Sequence, residues 1–491
     1  MSRQTRRTFL KRAAASAGIG TGIVIAGTQA SGKVLGANDT IRIGVAGING
    51  RGQSHMGEFA KMDKVDVTYL IDPDSRLFEP RSAKIKQIGG NTPKCVQDVR
   101  QALDDKDLDA VSVATCNHWH SLITFWACQA GKDVYVEKPC SHNVFEGRQC
   151  VKAAEKYGRI VQHGTQSRSD SKWAKTVAAV ASGKYGKLLV SKGYASKVRW
   201  SIGFKEPTEP PAELDFDLWL GPAPKQPYNE NFVHYNWHWF WDFGNGEIGN
   251  QGVHQMDIAR WGIPGGTLPK SVVSMGGRWV NSTEGHPPFA DQGQTPNNQL
   301  TVCDYGETLL VFEVIGLGGN VPGSDKKYPT NVANEFYLEE GAIKGGKFYP
   351  KGSDKGEELD VEFEPRSGSI FANFIEGVRS RNREGLYADI REAHLSAALC
   401  HLGNISYRLG EEVSGSEKPD VLDAHEEVQK SWTAIGDRVK DALGLDIAKG
   451  TYQLGPKLTF DPEAEKFIGS AEADKLLTRE YRAPYVVTEE V

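Results

Sequence analysis

Gly249-Asn250-Gln251-Gly252-Val253-His254-Gln255-Met256-Asp257 is a run whose residue types and spacing could do chemistry. Asn250 and His254 are four residues apart, so on a helix they share one face. Histidine titrates near neutrality, and such a base can take a hydroxyl proton while hydride leaves the same carbon. His254 is therefore a candidate general base, and Asn250 can orient a substrate. Asp257, three residues on, is either another acid of the site or a structural carboxylate bonded to backbone. Just upstream, His234 to Phe243 mixes aromatic and polar residues. Alternation along an extended segment would put Trp237, Trp239 and Trp241 on one side and Asn236, His238 and Phe240 on the other. That arrangement suits the apolar faces and hydroxyls of a sugar, and equally suits core or interface packing. Tyr235 and His238 are second candidates for catalysis. His234 and His238 are also four apart, but without a third ligand they make a poor metal site, and no metal is expected.

A second constellation begins at Gly47-Ile48-Asn49-Gly50-Arg51-Gly52. Glycines between a strand and a helix let backbone approach a pyrophosphate, which the helix N-terminus stabilises. Asn49 replaces the usual second glycine, and asparagine tolerates left-handed backbone angles. Asp72 ends the next strand about 20 residues later, where an acid bonds the ribose 2′-hydroxyl. An acid there repels a 2′-phosphate, so the expected cofactor is NAD rather than NADP. Thr115, Asn117 and His120 follow the third strand and Glu137-Lys138-Pro139 the fourth, both at strand ends that face the ligand crevice. His163, Gln166 and Arg168, at and after the fifth strand, could flank nicotinamide or substrate.

The elements that must hold these residues alternate. Buried-type strands are expected at 40–47, 65–72, 110–114, 133–136 and 159–163, with helices between them, which argues for an open parallel sheet. From Gly186 the texture changes to Trp, Tyr, Gly and Pro with β-type segments at 188–196, 271–280, 309–314 and 335–338, a second and largely antiparallel sheet. Helices are expected at 370–383 and 390–409. The expected fold class is α/β: an N-terminal Rossmann nucleotide-binding domain plus a C-terminal α+β domain with a large open sheet. The expected domains are 1–36 (signal and linker), 37–165 (nucleotide), 166–410 (substrate and oligomerisation) and 411–491 (a C-terminal extension of helix and loop).

The glycine loop, Asp72, Asn117 with His120, the run Ala130 to Pro139 and the run Gly252 to Asp257 together resemble the glucose–fructose oxidoreductase and inositol dehydrogenase family, Gfo/Idh/MocA. The resemblance covers roughly residues 40 to 410. It implies that Lys138 contacts both nicotinamide and substrate, that the open sheet stands beside the nucleotide fold, and that subunits meet through that sheet in a homo-oligomer. The family commonly has Asp at the position of Asn250, and an Asn cannot carry charge or take a proton. That departure shifts weight onto His254, Lys138 or Asp257.

Thr5-Arg6-Arg7-Thr8-Phe9-Leu10-Lys11 and the weakly apolar stretch Ala13 to Ala30 read as a twin-arginine export signal. The partner implied is the export machinery, and the place is the periplasm or another exported compartment. Net charge is −5, which offers no basic face to nucleic acid. Seven cysteines without metal spacing read as free buried thiols. Three functions are weighed. The first is an NAD-dependent oxidoreductase acting on a sugar, polyol or glycoside hydroxyl, its tightly held cofactor regenerated in the site. The second is a glycoside-cleaving enzyme using oxidation, elimination, hydration and reduction. The third is a non-catalytic sugar-binding relative.

Overall fold

Residues 39–491 are described by the structure, a computed structural model of the chain. The twin-arginine segment lies outside the described residues. β1 (Ile41–Ala46) is buried almost throughout, as a strand covered on both faces requires. β2 (Val65–Ile71), β3 (Lys94–Val96), β4 (Ala110–Val113), β5 (Asp133–Val136) and β6 (Val161–His163) complete a parallel sheet in the order β3-β2-β1-β4-β5-β6. The order turns back at β1, so the ends of β1 and β4 leave a crevice between them. β3 was not expected: it is a three-residue edge strand without a buried face. β6 starts two residues later than expected because Arg159 folds back onto the Tyr157 and Gly131 carbonyls.

β7 (Leu188–Ser196), β8 (Ser271–Gly277), β9 (Asn298–Asp304) and β10 (Leu309–Ile315) form the middle of the second sheet. β7 and β10 run parallel and the other pairings are antiparallel, so the sheet is mixed and mostly antiparallel. The segment after 410 is more than helix and loop. Its strands Glu411–Ser414 and Thr451–Leu454 extend this sheet beyond β8. Its helix Glu426–Leu443 lays Val428, Ile435 and Val439 over the outer face, against Val273, Leu300, Val302 and Val311. That face of the sheet is therefore covered by the chain's own helix. The other face packs on helices Val253–Trp261 and Ile390–Arg408, and the latter also lies against helix Val144–Lys156 of the nucleotide domain. Past Leu477 the tail crosses to that domain, where Tyr485 packs on Trp119 and Trp126.

Residues 197–247 make a long excursion between β7 and the helix that carries His254. Leu214, Trp219, Leu220, Phe232 and Phe243 give this strap an apolar centre of its own. It is stitched to the nucleotide domain by backbone. Ser75 N–H donates to the Glu213 carbonyl at 3.1 Å and Asp215 N–H to the Pro73 carbonyl at 2.9 Å. Trp119 Nε1 donates to the Trp219 carbonyl at 3.1 Å. Within the strap Asn236–Trp239 is a 3₁₀ turn, so the expected alternation of Trp237, Trp239 and Trp241 does not form. Among the cysteines, all seven are free and five are buried, but Cys95 on the edge strand is exposed.

Candidate active site

β1 is followed by Gly47, with φ +79°, where a Cβ would lie 2.5 Å from the Ala114 backbone. At Gly52 a Cβ would lie 1.7 Å from the Gly47 carbonyl oxygen, whereas at Gly50 it would meet nothing within 4 Å. The loop thus closes tightly at both ends and leaves bare backbone at Gly50, with helix Gly52–Ala60 starting behind it. That is a cradle for a pyrophosphate. The left-handed angle falls on Gly47, so Asn49 needs none. Asn49 and Arg51 line the cleft; Ile48 turns into the core and donates its N–H to Asp72 Oδ2 at 2.9 Å. Asp72 Oδ1 accepts from Asp74 N–H at 3.0 Å. Burial pushes the Asp72 pKa up to about 6 against these two bonds, so at neutral pH it remains mostly the carboxylate a ribose hydroxyl needs. Thr115, Asn117 and His120 form the opposite wall. Asn117 Oδ1 is buried without a hydrogen-bond partner, and the His120 ring spans the Thr115 and Pro139 carbonyls. These residues fit NAD.

Glu137 organises the inner end. Its Oε1 accepts from Arg51 Nε at 2.7 Å and Gln166 Nε2 at 3.3 Å, and lies 3.0 Å from His55 Nε2. Burial alone would raise its pKa, but His55, Arg51 and Lys138 hold it well below the usual carboxylate range. Gln166 and Glu137 therefore brace the loop and the lysine turn. Lys138 Nζ crosses between the domains and donates to the Asn250 carbonyl at 2.7 Å and to Asn250 Oδ1 at 3.2 Å. Asn250 Nδ2 donates in turn to Glu247 Oε2 at 3.3 Å. Glu247 is fully buried and takes two bonds from Arg199, at 2.6 and 3.0 Å. A carboxylate absent at position 250 thus stands behind it at 247. Glu247 was missed by sequence reasoning although it lies in the same glycine-rich run; Arg199, 48 residues away, gave no signal.

Ile248–Gly252 winds as a π-helix before the α-helix Val253–Trp261, a widened turn of the kind found at functional sites. Its glycines permit it, since a Cβ at Gly249 or Gly252 would run into Asn245 or the Phe312 ring. Asn250 lines the cleft, while His254 stands one turn on, off the cleft lining and within the field of Lys138 and Glu137. Burial, then the Lys138 charge, pulls the His254 pKa down to about 3, leaving a neutral acceptor. His238 does line the cleft. Its Nδ1 lies 2.6 Å from the Tyr235 carbonyl and its ring stacks on Trp237. Burial likewise lowers its pKa to about 3, so Nδ1–H donates to that carbonyl and Nε2 keeps its lone pair. Tyr235, 53% exposed, sits at the mouth.

Asp257 and Arg168 do not belong to the site. Arg168 Nε and Nη2 each donate to Asp257 at 2.9 Å, and Ser396 Oγ donates to it at 2.6 Å, all buried. Arg168, Ser396 and the other partners hold the Asp257 pKa down against burial. Its carboxylate is committed to pinning helix Val253–Trp261, and nothing is left to face a substrate. Removing one member of a buried pair leaves an uncompensated charge, at a cost of about 3–5 kcal/mol. Asp257→Ala is thus expected to lower the chemical-denaturation midpoint markedly, with turnover per folded molecule retained; a fall in kcat without loss of stability would restore Asp257 as a catalyst. Because its folded pKa is depressed, the stabilisation is present above the unfolded value and is lost as pH falls through the folded one.

Residues 41–165 match the family described as "Oxidoreductase family, NAD-binding Rossmann fold", and residues 172–270 its "C-terminal alpha/beta domain". These two segments carry the two domains of the Gfo/Idh/MocA oxidoreductase family. A "Glycosyl hydrolase family 109 protein" of Shewanella pealeana is 27% identical over 185 residues, 36% of this chain and 40% of the relative. A "Glycosyl hydrolase family 109 protein 2" of Shewanella sp. (strain ANA-3) is 27% identical over 223 residues, 41% of this chain and 48% of the relative. The chain matches less than half the length of these curated relatives. Among solved structures, the WlbA dehydrogenase from Bordetella pertussis, in complex with NADH and UDP-GlcNAcA, shares the fold with a TM-score of 0.55 and 18% identity. The match covers 75% of this chain and 97% of that one.

Proposed function

We propose that this protein is an exported NAD-dependent oxidoreductase that acts on a sugar, polyol or glycoside hydroxyl and regenerates its cofactor within one site. The observation that carries this reading is the covered cleft. Leu218, Trp219 and His234 of the strap line the crevice together with Asp72, Pro73 and Asp98, and His234 Nε2 lies 2.9 Å from Asp74 Oδ2. A nucleotide seated on Asp72 is closed in at its adenosine end, which suits an enzyme carried away from the cytoplasmic cofactor pool.

When bound, NAD supplies the acceptor that takes hydride and gives it back. The chain's own groups do the rest. The Lys138 ammonium, anchored on Asn250, is placed to hydrogen-bond the reacting hydroxyl. His238 Nε2 is a neutral acceptor with a fixed tautomer, set to take that hydroxyl proton, and His254 is a second neutral acceptor nearby. The strap and the Trp237 ring exclude water.

The glycoside-cleaving version of this chemistry is favoured by the name of the curated relatives and by Asn250. Oxidation at one ring carbon acidifies the neighbouring C–H; a base removes that proton and the glycosidic oxygen departs with its electron pair. Water then adds, and the carbonyl is reduced again. The sum is hydrolysis without net redox change. Aryl glycosides incubated with purified enzyme and no added nucleotide are expected to release the phenol while reduced-nicotinamide absorbance returns to its starting value. Phenol release that depends on added NAD, or accumulation of reduced cofactor in step with product, would count against it.

A further inference from the structure

The C-terminal tail is seated on the nucleotide domain and reaches from there to the strap. Tyr485 and Val487 are 4% and 2% exposed and belong to the apolar cluster of Trp119, Trp126 and Val151. Gln149 Nε2 donates to the Thr488 and Glu489 carbonyls at 2.7 and 2.8 Å, and Arg479 Nη2 to the His118 carbonyl at 2.9 Å. Between these anchors stands Arg482, whose guanidinium meets the strap. Its Nε donates to the Gly221 carbonyl at 2.9 Å, its Nη2 to the Asp217 carbonyl at 2.7 Å and its Nη1 to Asp217 Oδ1 at 2.7 Å. A planar guanidinium on three placed acceptors makes a rigid joint.

What this joint holds is the part of the strap that covers the cleft. Asp217 and Gly221 bracket Leu218 and Trp219 on the short helix Phe216–Leu220, and both of those side chains line the nucleotide cleft. The same turn lies on Trp119, another residue of the cleft, whose Nε1 donates to the Leu218 and Trp219 carbonyls, each at 3.1 Å. A Cβ at Gly221 would lie 2.3 Å from that indole. Tyr485 packs edge-on against the Trp119 ring, with centroids 5.4 Å apart. The tail thus touches both partners of one contact: Tyr485 backs the indole, and Arg482 grips the strap helix that lies on it. The two grips differ in kind. Tyr485 is core, whereas the Arg482 side chain is 18% exposed and that of Asp217 54%, so this joint can open without emptying a core. Its ion pair alone would contribute little at such a surface; two of its three bonds are charge-assisted ones to backbone carbonyls, which hold more strongly.

We propose that the C-terminal tail is a clasp, in which Arg482 holds helix Phe216–Leu220 shut over the cleft and so slows the entry and exit of nucleotide. The inference rests on the proposed seat of NAD beneath the strap. It adds that closure is controlled by a side chain 265 residues from the strap residue it grips.

The test uses the NAD-loaded full chain, chased with labelled NAD. Arg482→Ala is expected to exchange its nucleotide about tenfold faster, the size of losing a charge-assisted hydrogen-bonding group, with kcat at saturating NAD and the thermal midpoint little changed. Asp217→Ala, at an exposed position, removes one of the three bonds from the strap side and is expected to act in the same direction by less. Amide hydrogen exchange reads the joint independently of the nucleotide. In Arg482→Ala the amides of Trp219 and Gly221, which donate to the Asp215 and Asp217 carbonyls, are expected to lose protection, and those of helix Gly52–Ala60 to keep it. Unchanged protection with unchanged nucleotide exchange, in a protein where Leu218→Ala with His234→Ala does speed exchange, would overturn the clasp alone. Lost protection with unchanged nucleotide exchange would show that opening the strap does not release nucleotide, which overturns the covered cleft as the means of retention and the clasp's effect with it.

Discussion

Lys138→Ala is expected to cut turnover by about 10³-fold, the upper end of the range for loss of one positioned hydrogen-bond donor, while NAD stays bound at one equivalent. Lys138 Nζ ties the turn after β5 of the nucleotide domain to Asn250 of the second domain. Asp72, the glycine loop and the strap, the groups proposed to hold the nucleotide, do not depend on it. Measuring kcat and nucleotide released by acid from the same preparation separates the two roles. Loss of both in parallel would make Lys138 a structural cation. The pH profile adds a sign. Burial lowers the Lys138 pKa from its ordinary value, and Glu137 and Glu247 work against that shift. The limb of the profile that depends on its proton therefore falls below the pH of free lysine. Glu247→Gln removes one opposing charge and is expected to move that limb lower still.

Local sequence made the nucleotide end legible. A glycine loop, an acid at the next strand end and a lysine after the fourth strand lie within short runs, and backbone geometry places them with little help from elsewhere. What stayed hidden was long-range. Asp257 reads as an acid beside a candidate base, yet its partner Arg168 is 89 residues away and Ser396 is 139. Asn250 and His254 read as neighbours on a regular helix, but the π turn, set by Gly249 and Gly252 against Asn245 and Phe312, sends only Asn250 to the cleft. His238 gained its role from a carbonyl three residues back in a 3₁₀ turn that looked, by composition, like an extended strand. The open sheet was foreseen, but the helix Glu426–Leu443 that covers it lies far down a tail with no strand-like alternation.

The strap gives the other large effect. Leu218 and His234 both line the nucleotide cleft and both are half-buried, so truncating them opens the cover without emptying a core. Leu218→Ala removes about 1.5 kcal/mol or more of apolar contact, and His234→Ala removes a bond to the Asp74 carboxylate of similar size. Together, about 3 kcal/mol corresponds to roughly 10²-fold in affinity, and changes within one interface appear mainly as faster dissociation. The double variant is therefore expected to exchange its bound NAD with a labelled pool about 10²-fold faster than the parent, and to need added NAD for full activity after dialysis. Thermal unfolding measured with saturating NAD should change little, because the strap's own centre of Trp219, Phe232 and Phe243 is untouched. Unchanged exchange with intact folding would mean that retention resides in the glycine loop and Asp72 alone, and the covered cleft would cease to support the proposed retention of the cofactor. A faster exchange with unimpaired chemistry would place retention in the strap and catalysis in Lys138, Asn250 and His238, two properties carried by different parts of one cleft.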